Sequence, residues 1–359
     1  MKRGKHPATD GGKRAVGARN EESGEDMSSR ESVLEALRDG KIVSGGELSR
    51  RFGLSRSAIW KAVSGLRRDG YDIDAAPGRG YQLRAAPDAL TEFEIRRFLG
   101  PTRTIGRTLI SFDETASTNA DCKRLAREGA EQGTVVVANC QTAGRGRMNR
   151  GFQSPKDKGI YMSVLLYPEA PPEELFPLTS LAGICVCSAV ERVCGIRPGL
   201  KWPNDPVLNG KKLCGILTEL SMEGESGRVA CLIIGIGVNA SQGPDDFSPD
   251  VAQIATSLAW ELQRPISRPA LTAAMIEELD RAYSALTRRD LSAYLELARR
   301  DCVNIGKRVQ LISPDGSREE ADAIGLDERF GLIVRDASGA ERVIRSGEIS
   351  VRGLYGYIE

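Results

Sequence analysis

Histidine is almost absent from this chain of 359 residues, and its scarcity limits the available chemistry. The only histidine, His6, lies in a stretch rich in glycine and charge, and this composition predicts a disordered, dispensable tail over residues 1–28. Ser-His triads, histidine bases and histidine metal sites are therefore excluded from the folded part. Any catalysis must use lysine, arginine, aspartate, asparagine and backbone groups.

Other missing features narrow the class of protein further. The eight cysteines include no CxxC pair, which predicts buried reduced thiols rather than disulfides or a metal site. No apolar run approaches membrane-spanning length, and no secretory signal opens the chain. We therefore expect a cytoplasmic protein of two or three domains that has no membrane partner.

Charge is distributed unevenly along the chain. Residues 29–86 hold eleven Lys and Arg against seven Asp and Glu, a net charge of +4. Residues 87–359 hold 33 basic and 37 acidic residues, a net charge of −4. If the protein binds nucleic acid, the small basic module before the acidic body is expected to bind it.

The basic module has the pattern of a winged helix-turn-helix. Three amphipathic segments follow each other, with Ser44 and Ser55 in position to cap the second and third, and the hairpin pattern after them predicts a wing. The predicted DNA-binding positions are Arg56, Ser57, Trp60 and Lys61 on the third helix and Arg79 at the wing tip. Trp60 is equally compatible with packing in the module or against a neighbouring domain. A helical protein-interaction domain is the alternative for the whole module.

The body mixes helices with strands that form frequent hairpin neighbours. This order predicts an α+β fold with a mixed sheet, a helical region over residues 268–300, and short turn-separated strands after it that form a small β-barrel. The most distinctive segment, residues 144–152, reads GRGRMNRGF and joins one strand to the next. Three arginines within six residues favour an anion, while the absence of a following helix excludes a Walker or dinucleotide loop. A solvated basic hairpin is the alternative.

Four more motifs accompany this loop. They are ETASTN at residues 114–119, KWPND at 201–205, KKLCGILTE at 211–219 and CLIIGIGVN at 231–239. In this order and spacing the five segments resemble biotin protein ligase, in its bifunctional form as ligase and biotin-operon repressor, over about residues 30 to 359. The resemblance implies a winged helix-turn-helix at 29–86, a catalytic domain at 87–300 and an SH3-like domain at 301–359.

The resemblance also implies the site residues and partners. The expected biotin-binding residues are Ser117, Thr118, Asn119, Gln141, Arg145, Gly146, Arg147 and Lys212. The expected ATP-binding residues are Arg147, Arg150, Phe152, Trp202, Asn204 and Asn239. Magnesium is expected only with ATP, and the expected partners are a biotin carboxyl carrier protein, operator DNA of biotin-synthesis genes and a second copy of the chain. The loop departs from the family at Asn149, commonly glycine, and at Phe152, commonly tryptophan.

The chemistry expected from these residues is activation of a carboxylate. Biotin's carboxylate is ionised at neutral pH, so its attack on ATP needs charge neutralisation, which Arg147, Lys212 and magnesium on ATP can supply. In the transfer step the acceptor lysine must lose a proton, and Asp205 is the candidate base or orienter, with a phosphate oxygen or water as the alternative. A repressor that only senses its ligand and a lipoate-type ligase are the alternative functions. Locally, a simple helix cap at 117–119, a core role for Trp202 and a solvated Lys212 are the structural alternatives.

Overall fold

The computed structural model describes residues 28–76, 78–147, 150–224, 227–313, 315–345, 350–353 and 357–358. Internal contacts divide the chain into two compact units, with the boundary between Ala89 and Leu90. The tail predicted over residues 1–28 lies outside the described residues except for Ser28, and so does Asn149.

Three helices and a hairpin build the first unit. The helices are α1 (Ser29–Leu37), α2 (Gly45–Phe52) and α3 (Arg56–Arg68), and the hairpin strands are β1 (Asp72–Ala76) and β2 (Gly80–Ala85). Each helix begins after a serine whose hydroxyl accepts a backbone N–H bond, as a helix cap does. The apolar residues at helical spacing are buried, namely Val33, Leu34, Leu37, Leu48, Ile59, Val63 and Leu66, and Phe52 at the end of α2 is half-buried. The predicted winged helix-turn-helix is confirmed.

A mixed five-stranded sheet forms the centre of the second unit. Its strands are β3 (Leu109–Phe112), β4 (Val135–Ala138), β5 (Gly159–Leu166), β9 (Cys214–Glu223) and β10 (Arg228–Asn239). The order is β3-β4-β5-β10-β9, with β3 and β4 parallel and the other pairs antiparallel. The α+β body with a mixed sheet is thus confirmed.

Helices cover both faces of this sheet. On one face, Cys122 of α5 (Thr118–Arg127) packs on Val136 and Ile233; on the other, α6 (Pro177–Cys194) and α9 (Arg268–Thr287) pack on the main core. Burial on both faces explains why the central strands are continuously apolar instead of alternating. All eight cysteines are free thiols and seven are buried, with Cys140 partly exposed, as the absence of CxxC pairs predicts.

One expectation about hydrophobic runs was wrong. The helical stretch Pro172–Cys194 is long and apolar enough to cross a membrane by length and composition alone. However, 72% of its most apolar 18-residue part is buried inside the molecule, and the core helix of a folded domain commonly has this composition. The apolar run reflects the packing of most of this helix in the core.

Short elements surround the sheet. They are α4 (Glu92–Arg96), β6 (Gly199–Lys201), β7 (Asp205–Leu208), β8 (Lys211–Lys212), α7 (Pro249–Ala252), α8 (Leu258–Leu262) and α10 (Ser292–Asp301). Strands β6, β7 and β8 form a small antiparallel sheet of their own. This sheet places both ends of the KWPND turn and Lys212 side by side.

The C-terminal part is an all-antiparallel sheet of five strands. The strands are β11 (Arg308–Ile312), β12 (Arg318–Leu326), β13 (Leu332–Arg335), β14 (Glu341–Ile344) and β15 (Ser350–Gly353), in the order β14-β13-β12-β11-β15. Residues 346–349, which precede the last strand, lie outside the described residues. The hydrophobic core of this C-terminal sheet is continuous with the core of the central sheet.

Candidate active site

A single cavity of about 550 Å³ in the second unit brings together every body residue predicted to bind ligand. They are Ser117, Thr118, Asn119, Gln141, Arg145, Gly146, Arg147, Arg150, Phe152, Trp202, Asn204, Asp205, Lys212 and Asn239. These residues come from five separate stretches of sequence. Their convergence supports a shaped site over isolated solvated motifs.

Polar side chains at the start of α5 form one part of the cavity wall. Ser117 is the N-cap residue, but its hydroxyl makes no capping bond. Gln141 takes that role instead, because its Oε1 accepts from the Thr118 backbone nitrogen at 2.9 Å. The helix-cap alternative for Ser117 therefore does not account for its side chain, which is directed to the cavity.

Two residues that the sequence did not single out hold this wall in place. Ser163 Oγ lies 2.7 Å from Thr118 Oγ1 and 2.6 Å from Asn119 Oδ1. Asn119 Nδ2 donates to Glu219 at 2.7 Å, and Lys123 donates to the same carboxylate at 2.6 Å. These bonds lower the pKa of Glu219 although burial alone would raise it. The result is a fixed row of donors and acceptors suited to a polar ligand ring.

Glycines on β10 form the floor under these side chains. A Cβ at Gly235 would lie 2.2 Å from Asn119 Oδ1, and a Cβ at Gly237 would lie 2.5 Å from Phe152 Cε1. Both distances are shorter than atoms can approach, so these positions require glycine. The GIG pattern in the strand is thus explained by side chains that lie across it. Phe152 also lines the cavity.

The arginine loop is a narrow hairpin that joins β4 to β5. Arg145 pairs with Gly151 across it, and Gly146 N donates to Arg150 O at 2.8 Å. The guanidiniums of Arg145 and Arg150 belong to exposed residues, whereas Arg147 is half-buried and donates from Nη1 to Asn204 Oδ1 at 3.0 Å. Burial lowers the pKa of Arg147, because the charged guanidinium has lost part of its hydration. A bound anion would compensate for that loss.

The KWPND turn supplies an ion pair and a buried support. Lys212 Nζ lies 2.6 Å from Asp205 Oδ1, and both side chains are largely buried, so Lys212 is not the solvated lysine of the alternative interpretation. Asn204 Nδ2 donates to Ile216 O at 3.0 Å while its Oδ1 holds Arg147. Both polar ends of Asn204 are thus used to place Arg147.

Trp202 and Asn239 also have their polar groups engaged within the protein. Trp202 is 2% exposed and its Nε1 donates to Phe330 O at 2.8 Å, a contact with the C-terminal sheet. Asn239 Nδ2 donates to Thr256 O at 3.0 Å. Both residues line the cavity, but their hydrogen-bonding groups support its wall, so the core role considered for Trp202 agrees with this geometry.

Several cavity residues were not anticipated from the sequence. They include Lys201, Phe247, Val251, Ile254, Arg352 and Tyr357. Lys201 is 5% exposed, and burial lowers its pKa to about 8, with nearby Lys212 and Arg352 acting in the same direction against Asp205. Its position in KWPND was a signal available in the sequence. Arg352 and Tyr357 could not be anticipated in this way, because no sequence motif near them indicates a contact with this site.

The first unit presents the side chains expected for DNA at its surface. Arg56, Ser57, Lys61 and Arg79 are exposed, and Trp60 is 62% exposed. Trp60 therefore does not close the core of this unit. An exposed basic helix face next to a hairpin defines a winged helix-turn-helix module, and the cation-lined cavity defines the second unit as a domain that binds an anionic ligand.

Comparison with known proteins agrees with both assignments. The biotin/lipoate A/B protein ligase family matches residues 110–239, an HTH domain matches 29–82, and the biotin protein ligase C terminal domain matches 305–352. The bifunctional ligase/repressor BirA of Bacillus subtilis is 36% identical over 303 residues, covering 84% of this chain and 92% of that protein. The Escherichia coli protein of the same name is 30% identical over 327 residues, covering 89% and 96%.

A solved structure shares the fold of the second unit. The biotin protein ligase from Aquifex aeolicus, in complex with biotin and ATP, superposes with a TM-score of 0.60 at 28% identity, over 69% of this chain and 99% of that chain. The chain therefore belongs to the biotin protein ligase family, in the form that carries an N-terminal helix-turn-helix domain. The resemblance found in its five motifs is confirmed.

Proposed function

We propose that the protein activates biotin with ATP to form biotinyl-5'-AMP and transfers the biotinyl group to a lysine of a biotin carboxyl carrier protein. The observation that supports this most directly is the cavity itself. It combines a polar wall at Thr118, Asn119 and Gln141 with the cations Arg147 and Lys212, and Phe152 lines the same cavity. A polar ring and an ionised carboxylate beside a phosphate need this combination.

The proposed roles of the cavity residues follow the assignments that the family resemblance implies. Ser117, Thr118, Asn119, Gln141, Arg145 and Gly146 contact biotin, and Arg147 and Lys212 stand between its carboxylate and the α-phosphate of ATP. Arg150, Phe152, Trp202, Asn204 and Asn239 form the nucleotide side. Asn204 and Asn239 act there mainly by holding the wall, since their amides are already bonded within the protein.

Asp205 serves as the orienter of Lys212 rather than as a free base. Its Oδ1 is engaged by Lys212 at 2.6 Å and its Oδ2 by Tyr357 at 2.5 Å. Magnesium arrives with the nucleotide. Over the described ranges, no group of three or more His, Cys, Asp or Glu side chains is placed to hold a resident metal ion.

Biotin-dependent release of pyrophosphate from ATP tests the ligase function. We expect release with biotin and, in the presence of a carrier domain, its biotinylation. Faster activation of octanoate or lipoate than of biotin would show that the protein is a lipoate-type ligase instead. A protein that binds biotin but releases no pyrophosphate would be a ligand-sensing repressor.

The first unit makes the protein a biotin-responsive repressor in the same proposal. Arg56, Ser57, Trp60 and Lys61 enter the major groove of an operator and Arg79 contacts the backbone or minor groove. Two copies pair when the adenylate is bound and present two recognition helices to an inverted repeat. A gel-shift titration with DNA upstream of biotin-synthesis genes should show stronger binding with biotinyl-adenylate and a steep loss with salt. DNA binding of equal strength with and without biotinyl-adenylate would show that repression is not coupled to biotin activation.

The domain limits in this proposal are a dispensable tail at 1–28, a DNA-binding domain at 29–86, a ligase domain at 87–300 and a C-terminal domain at 301–359. A chain that begins at residue 29 should keep full pyrophosphate release. Loss of activity in that chain would make the tail part of the enzyme.

A further inference from the structure

The end of the chain places a tyrosine in the catalytic cavity. Tyr357 follows β15 of the C-terminal sheet and lines the cavity together with Val351 and Arg352. It lies 152 positions from Asp205 in sequence, yet its hydroxyl is 2.5 Å from Asp205 Oδ2. The C-terminal domain therefore contributes directly to the group of side chains around Lys212.

The contact with Asp205 has a defined direction. Burial raises the pKa of Tyr357 far above its ordinary value, and the Asp205 charge raises it further, so the phenol keeps its proton and donates to the carboxylate. Lys212 Nζ binds the other oxygen of the same carboxylate at 2.6 Å. Because a carboxylate is planar, a donor fixed on one oxygen limits rotation of the whole group and so fixes the position of the other oxygen. Tyr357 thus restricts where Lys212 can lie.

The ring of Tyr357 contacts a second lysine. Lys201 Nζ lies 3.6 Å from the ring centroid, within the range of a cation–π contact. Lys201 is 5% exposed and makes no ion pair with a carboxylate of the described residues. It lies opposite Asp205 in the β6–β7 pair and lines the cavity. A buried ammonium that lines a cavity and forms no ion pair with the nearby Asp205 is able to bind a phosphate.

We propose that Tyr357 is a positioning residue for biotin activation, a role that rests on the proposed ligase function. Its hydroxyl fixes the Asp205 carboxylate that orients Lys212, and its ring holds the Lys201 ammonium toward the phosphates of ATP. Through this one side chain the C-terminal domain sets the geometry of both lysines.

Two substitutions at Tyr357 in the full-length protein separate the roles of hydroxyl and ring. Tyr357→Phe keeps the ring, so kcat for pyrophosphate release should fall about 10-fold while KM for ATP changes little, because only the bond to a charged acceptor is lost. Tyr357→Leu also removes the ring, so KM for ATP should rise about 3- to 10-fold in addition. Tyr283→Phe, a tyrosine bonded to Gln132 at 3.2 Å outside the cavity, is the control and should leave both constants unchanged.

A double-mutant cycle distinguishes positioning from general stability. In an Asp205→Ala background the hydroxyl has no carboxylate to hold, so adding Tyr357→Phe should reduce kcat by no more than about 2-fold. An undiminished 10-fold loss in that background, or near-normal kcat for Tyr357→Phe alone, would overturn the proposal.

The same cycle can be measured without substrates, in the free energy of unfolding. Coupling between Tyr357 and Asp205 should appear there whether or not the protein activates biotin. Wild-type protein that released no pyrophosphate would refute the ligase function. Additive unfolding energies for the two substitutions would refute the contact.

Discussion

Removal of the Lys212 ammonium is the most informative change in the site. Lys212 Nζ lies 2.6 Å from Asp205 Oδ1, and the lysine side chain is 27% exposed. A partly desolvated cation that stabilises negative charge in the transition state lowers the activation free energy by about 2.7–4 kcal/mol. Because Lys212 is still partly exposed, we expect its contribution to lie near the lower value. Lys212→Ala should therefore reduce kcat for pyrophosphate release about 100-fold, since each tenfold loss corresponds to about 1.4 kcal/mol.

The assay needs a control for stability and for general loss of charge. Lys212→Ala leaves the Asp205 carboxylate with its Tyr357 bond but without its ion-pair partner, so the unfolding free energy should fall by about 1–3 kcal/mol without unfolding the protein. Lys211→Ala is the matched control, because Lys211 is the exposed neighbour on the two-residue strand β8. It should leave the rate unchanged. A Lys212→Ala protein that is folded and retains a rate within about 3-fold of wild type would show that the cation does not act in the reaction.

Three further results are expected. Arg147→Lys should reduce adenylate formation at least about 10-fold, because a point charge cannot hold both Asn204 and an anion as a guanidinium fork does, and full activity would make the loop a simple electrostatic patch. Arg56→Ala and Arg79→Ala should weaken operator binding in gel-shift titrations and leave pyrophosphate release intact; reduced release would link the first unit to the ligase reaction. At pH 8 a thiol reagent should modify at most Cys140 in the native protein and all eight cysteines after denaturation, because burial blocks access to the other seven and raises the pKa of thiols such as Cys122 and Cys187. Rapid modification of several thiols in the native protein would contradict the buried positions.

The helix boundaries of the first unit were predictable because their causes are local. Ser44 and Ser55 lie one residue before their helices, Gly53 ends one in the left-handed conformation, and the inward residues follow the helical period. Such signals act over a few residues. The apolar stretch at 172–194 was harder to interpret, because composition alone does not distinguish a core helix from a membrane helix.

Part of the site was predictable from local features. Three neighbouring arginines contribute nothing to a core, so the loop at 144–152 indicates an anionic ligand from the sequence alone, whereas the other predicted site residues came from the resemblance of the five motifs. The roles of Asn204 and Trp202 were not predictable to the same extent. Their polar atoms bind Arg147, Ile216 and Phe330, and only packing decides which partner a buried polar group reaches.

The sequence by itself determined the order of the elements, because capping, period and turn residues act within short segments, and its five motifs carried the resemblance that implied the family and the predicted site residues. The tertiary structure alone decided that Tyr357 reaches Asp205 and Lys201, and that Gln141 caps α5 in place of Ser117. These contacts join residues far apart in the chain. They form only when the core has brought the sheets together, and buried polar groups must then pair with whatever donor or acceptor lies within reach.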